Sequence, residues 1–170
     1  RRRAVNLQAH QDPMSIQSFL SSEVEMLRMM KNPHRIGNYH SMSDFLIQNG
    51  CEFKPKKLPR GVKRGEAKMC FKNAFELAIH HPKRFIYCEG QAAGIIPVAH
   101  AWVLDRDGSA VDPTWWGEDD GDDMPRLGTE YFGIAIDRNY LVNMMLKTET
   151  YGVIDQWTHR WPILPDDPKL

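Results

Sequence analysis

The segment from Val98 to Trp116, VAHAWVLDRDGSAVDPTWW, restricts the local fold of this chain more than any other. Pro97 to Leu104 is apolar and β-prone apart from His100, and Arg106-Asp107-Gly108 makes a good three-residue loop. Glycine supplies the left-handed position that a G1 bulge demands. With that loop Asp105 faces Ser109, Trp102 faces Asp112, and His100 is the diagonal neighbour of Asp112. Side chains alternate across a sheet, so His100, Trp102 and Asp112 then share one face. A two-residue Asp107-Gly108 turn would shift the register by one and send Asp112 to the other face.

Cys70 lies thirty residues upstream of His100, at the start of a run with Phe71, Ala74, Phe75, Ala78 and Ile79 at helical spacing, ended by His81-Pro82. Cysteine, histidine and aspartate in that order are the parts of an activated thiolate: a nucleophile, an imidazole that takes its proton, and a carboxylate that fixes the ring. A helix start is a setting that favours thiolate. This chemistry favours the longer hairpin loop and predicts that Asp112 bonds the ring nitrogen facing away from Cys70. Cys88, in the apolar strand Phe85-Ile86-Tyr87, reads as core filling, and Cys51 has no evident partner.

H-A-W-V followed by a hairpin and D-P-T-W resembles the core signature of the transglutaminase-like superfamily, which shares the papain-like arrangement of catalytic groups. Cys70-Phe71-Lys72-Asn73-Ala74 is similar to that family's nucleophile segment, and the strand Arg84 to Glu89 followed by Gly90 is similar to the strand and glycine preceding its histidine arm. The resemblance spans about Lys68 to Trp116. It implies Cys70 as nucleophile, His100 as general base and Asp112 as orienting acid. No glutamine lies just upstream of Cys70, so Gln48 or a backbone N–H at the helix start is the expected oxyanion donor.

Lysine plus arginine balance aspartate plus glutamate, 22 against 22, so the overall charge points to neither a nucleic-acid nor a membrane-surface partner. Three cysteines, odd in number and without a C-x-x-C spacing, suggest neither a disulfide scaffold nor zinc. A cytoplasmic setting is expected: no apolar run reaches membrane-spanning length, and Arg1-Arg2-Arg3 lacks the apolar core of a signal peptide. The chain opens without methionine, as expected where a part ahead of it has been removed.

At 170 residues, a helical extension over 1–50, a catalytic core over 51–150 and a packed tail over 151–170 are expected. Asp12-Pro13 reads as the start of a helix carrying Ile16, Phe19, Leu20, Val24 and Leu27 up to Asn32-Pro33. A second runs from Ser43 to Asn49-Gly50. Lys54 to Arg64, with six basic residues, reads as a solvated loop. Strands are expected at Arg84–Cys88, Pro97–Asp105, Ser109–Asp112 and Tyr131–Ile136, then a helix capped by Asp137. The fold class is α+β, with helices on one side of an antiparallel sheet, of the papain-like or transglutaminase-like type.

Trp102, Trp115 and Glu89 are the candidate substrate contacts: Trp102 flanking the histidine face, Trp115 at the pocket rim, Glu89 at a strand end beside the site. Glu118 to Asp123 carries five carboxylates in six residues but does not match an EF-hand, and reads as a solvated loop. No cofactor signature is present. The expected function is a cysteine-dependent hydrolase of protease or amidase type acting through a thioester on a peptide, protein or small amide. An acyltransferase using an amine acceptor, a non-catalytic binding module of the same fold, and a metal site from Cys70, Cys88 and His100 are the alternatives.

Overall fold

A computed structural model of the chain describes residues 15–30, 38–94, 96–115 and 128–154. Asp12-Pro13, Asn32-Pro33, Trp116, the acidic run Glu118 to Asp123 and most of the C-terminal tail lie outside them. Four helices occur in the described residues: α1 (Ile16–Met29), α2 (Met42–Asn49), α3 (Cys70–His80) and α4 (Arg138–Thr148). Each begins where local chemistry dictates. Ser15 and Ser41 cap α1 and α2 by accepting from the backbone N–H three residues on, and Asp137 accepts from Asn139 and Tyr140 at the head of α4. The Ser15 cap places the start of α1 later than the Asp-Pro pair suggests.

Six strands, β1 (Cys51–Phe53), β2 (Pro55–Lys56), β3 (Ile86–Ala93), β4 (Pro97–Leu104), β5 (Ala110–Val111) and β6 (Tyr131–Ala135), form one sheet in the order β1-β6-β3-β4-β5-β2. The fold is therefore α+β. Its sheet is antiparallel except for β2 with β5, which run parallel, so the all-antiparallel expectation is corrected at that edge. β1 and β2 also overturn part of the basic loop expected there. Only Lys54 separates them, and its carbonyl accepts from Ala110 N at 2.8 Å. Residues 51–56 thus run along β6 with one half and along β5 with the other, which brings the two ends of the sheet together. β3 continues through Gly90 to Ala93 instead of ending at Cys88.

Two apolar clusters occupy the two faces of this curled sheet. On the outer face Tyr87, Ala101, Val103, Val111 and Ile134 meet Ile16 and Leu20 of α1, Phe45 and Leu46 of α2, Ala74 and Phe75 of α3, and Leu141 of α4. The inner cluster is smaller, with Cys88, Ala92, Trp102, Leu104, Ala110 and Tyr131. The curl needs two glycines. A Cβ on Gly90 would run into the carbonyl oxygen of Phe132, and one on Gly133 into that of Glu89. Among the described residues no helix is long and apolar enough to cross a membrane.

Candidate functional site

The β4–β5 hairpin takes the longer loop. Val103 pairs with Val111 and Leu104 with Ala110, Asp105 N donates to Ser109 O at 3.0 Å, and Gly108 adopts φ 79°. His100 and Asp112 therefore fall on the same face, and His100 Nε2 lies 2.7 Å from Asp112 Oδ2 with both residues buried. The loop is also held from outside. Arg84, then the Arg106 backbone N–H and Lys56, bond Asp105 and keep its carboxyl well below the usual carboxylate range despite the opposing effect of desolvation.

Cys70 is the first residue of α3 and lies close enough to the His100 ring to act on its charge. With Nε2 given to Asp112, Nδ1 is the remaining ring nitrogen. Burial works to lower the His100 pKa, but the hydrogen bonds from Asp112 and Cys70 and their charges outweigh it and raise the group to about 9. The imidazole is accordingly held as imidazolium at neutral pH. The other two thiols lack such a neighbour: burial alone pushes up Cys51, and burial first, with a smaller contribution from Cys51, pushes Cys88 well up.

Asp112 is fixed by more than the histidine. Its Oδ1 accepts from the backbone N–H of Thr114 at 2.7 Å and of Trp115 at 3.1 Å, an Asx-type turn that Asp-Pro favours. Its Oδ2 also accepts from the hydroxyl of Tyr131 at 2.8 Å. A second clamp joins the chain before Cys70 to the chain after Asp112. Asn73 Nδ2 donates to Glu66 O at 2.7 Å and to Thr114 Oγ1 at 3.0 Å, while Gly65 N donates to Pro113 O at 2.7 Å. A Cβ on Gly65 would collide with the Asn73 amide, so a larger residue there would displace this clamp. The entry to α3 is itself tight: Lys68 adopts φ 66°, and the cap residue Met69 offers no side-chain acceptor to the first-turn N–H groups.

The three candidate contact residues diverge. Trp115 stacks on His100 with ring centroids 3.9 Å apart and planes 21° from parallel, covering one face of the imidazolium. Trp102 shares the histidine face but is wholly buried, packed on Phe53 and Tyr131. Glu89 lies on the opposite face, because its neighbour Gly90 is the one that pairs with His100. Its buried carboxylate accepts from Tyr87 Oη at 3.0 Å and from the backbone N–H of Val153 and Ile154 at 2.7 Å each. It anchors the chain after α4 and is not open to a substrate.

Gln48 donates its side-chain amide to Asp44 in its own helix. Cys88 faces Trp102 in the inner cluster, and among the described residues no three His, Cys, Asp or Glu side chains are placed to share a metal ion. A cavity of about 370 Å³ between α3 and α4 is lined by residues such as Ala78, Phe85 and Leu141 and contains none of the three catalytic candidates.

Sequence reasoning missed Tyr131 and the bridging role of Asn73. Tyr131 opens a recognisable strand, but nothing local links it to Asp112. Only the curl of the sheet brings β6 within reach. Comparison of the chain with known protein families, with characterised proteins and with solved structures finds no match to any of them.

Proposed function

We propose that this chain is a cysteine-dependent hydrolase of papain-like or transglutaminase-like type, acting on an acyl group of a peptide, protein or small amide. The observation that carries the reading is the buried His100–Asp112 pair, 2.7 Å apart, with the thiol at the start of α3 beside the ring. In that setting His100 already holds, as imidazolium, the proton that Cys70 gives up, and the thiolate attacks the carbonyl carbon. The tetrahedral oxyanion is received by backbone N–H groups at the head of α3, where no side chain caps them. As the C–N bond breaks, the imidazolium gives its proton to the leaving amine and a thioester remains. His100, now neutral, takes a proton from water, the hydroxide adds to the thioester, and the acid departs as Cys70 is released. Water completes the cycle in this reading because it needs no further acceptor site. A reducing, cytoplasmic setting suits a free catalytic thiol, and neither nucleic acid nor membrane is a proposed partner.

Selective alkylation tests the reading without a substrate. Iodoacetamide at neutral pH should modify Cys70 on the order of tenfold faster than the exposed Cys51, with Cys88 protected until the chain unfolds. Cys70→Ala should remove the fast phase and any acyl hydrolysis while leaving the fold intact. Equal rates at Cys70 and Cys51, or a biological effect that survives Cys70→Ala, would show that the protein works by binding.

A further inference from the structure

Tyr131 has no part in the chemistry described so far, yet its hydroxyl reaches across the inside of the curled sheet to the same Asp112 oxygen that His100 uses. Hydrogen-bond donors compete for the charge of one carboxylate oxygen: what a phenol draws, an imidazolium does not feel. Removing that donor would not set Asp112 loose, because Oδ1 stays pinned by the Thr114 and Trp115 backbone N–H groups. Tyr131 is therefore placed to act on the electrostatics of Asp112 more than on its orientation.

We propose that Tyr131 is a positioning residue that tempers Asp112, so that His100 holds the proton firmly enough to form the ion pair with Cys70 yet gives it up to a leaving group. The proposal rests on the hydrolase reading for its purpose, but not for its test. An imidazolium bonded to an untempered buried carboxylate is a poor general acid, since efficient proton transfer wants a donor whose pKa lies near the working pH. The groups facing the ring are Cys70 from α3, Asp112 from the end of β5, Tyr131 from β6 and Trp115 stacked on it. Across the strand pair lies Gly90 of β3, with Cys88 two residues before it.

The experiment is an NMR titration of ring-labelled histidine in the full chain. In Tyr131→Phe the His100 midpoint should rise by about 0.5 to 1 pH unit, the size expected when one hydrogen bond to the shared carboxylate is lost. Tyr131→4-aminophenylalanine keeps a weaker donor in place and should give a smaller rise, and it serves where the phenylalanine variant does not fold. In an Asp112→Asn background the same substitutions should leave the midpoint where it is. A midpoint that stays fixed or falls in Tyr131→Phe, or one that moves equally in the Asp112→Asn background, overturns the proposal. An inert Cys70 beside a midpoint that rises as stated would remove the hydrolase reading alone.

Discussion

Asp112 receives four hydrogen bonds on its two oxygens while wholly buried, so the histidine it holds has a measurable effect on stability. A group more tightly protonated in the folded chain than in the unfolded one stabilises the fold fully below its unfolded pKa. That contribution is lost as pH rises through its folded pKa. For His100 the window runs from 6.5 to about 9. Urea denaturation should show the protein losing on the order of 2–3 kcal/mol across that window, and Asp112→Asn should flatten the dependence. If both proteins keep the same stability at both ends, His100 is not the charged partner its surroundings make it.

At the scale of elements, the hairpin and α3 were legible in the sequence because their signals are local. One glycine at the right place in Arg106-Asp107-Gly108 fixes a register, and that register alone puts His100 and Asp112 on one face. The apolar spacing after Cys70 likewise places the thiol at a helix start. β1 and β2 were not legible. Strands of three and two residues are too short to show a period, and lysine and proline do not advertise a strand whose partners lie far along the chain. The end of β3 was misplaced for a related reason. Gly90 resembles a strand terminus, whereas here it lets β6 approach closely enough for the sheet to bend. Gly90→Ala should thus cost about 1–3 kcal/mol or more in thermal or chemical unfolding, since the new methyl meets backbone that cannot step aside. A variant as stable as the parent would mean that the sheet does not curl as described.

On the scale of the whole molecule, Glu89 ties the end of the described chain to the middle of the sheet, and its burial explains why it cannot greet a substrate. Glu89→Ala leaves two backbone N–H groups and the Tyr87 hydroxyl without their acceptor, which should cost about 2–4 kcal/mol. The alkylation rate of Cys70 in the folded fraction should not change, and a large change would return Glu89 to the site. Residues 51–56 have a different bearing on what the protein can meet. One stretch covers flanks of both β5 and β6, so an extended peptide cannot be gripped there by joining the sheet as another strand. Any backbone pairing with a substrate then falls to another flank, such as Pro97–Trp102 of β4, which β5 does not reach. The same coverage keeps a partly unfolded neighbour from templating on those strands, the route by which open sheets aggregate.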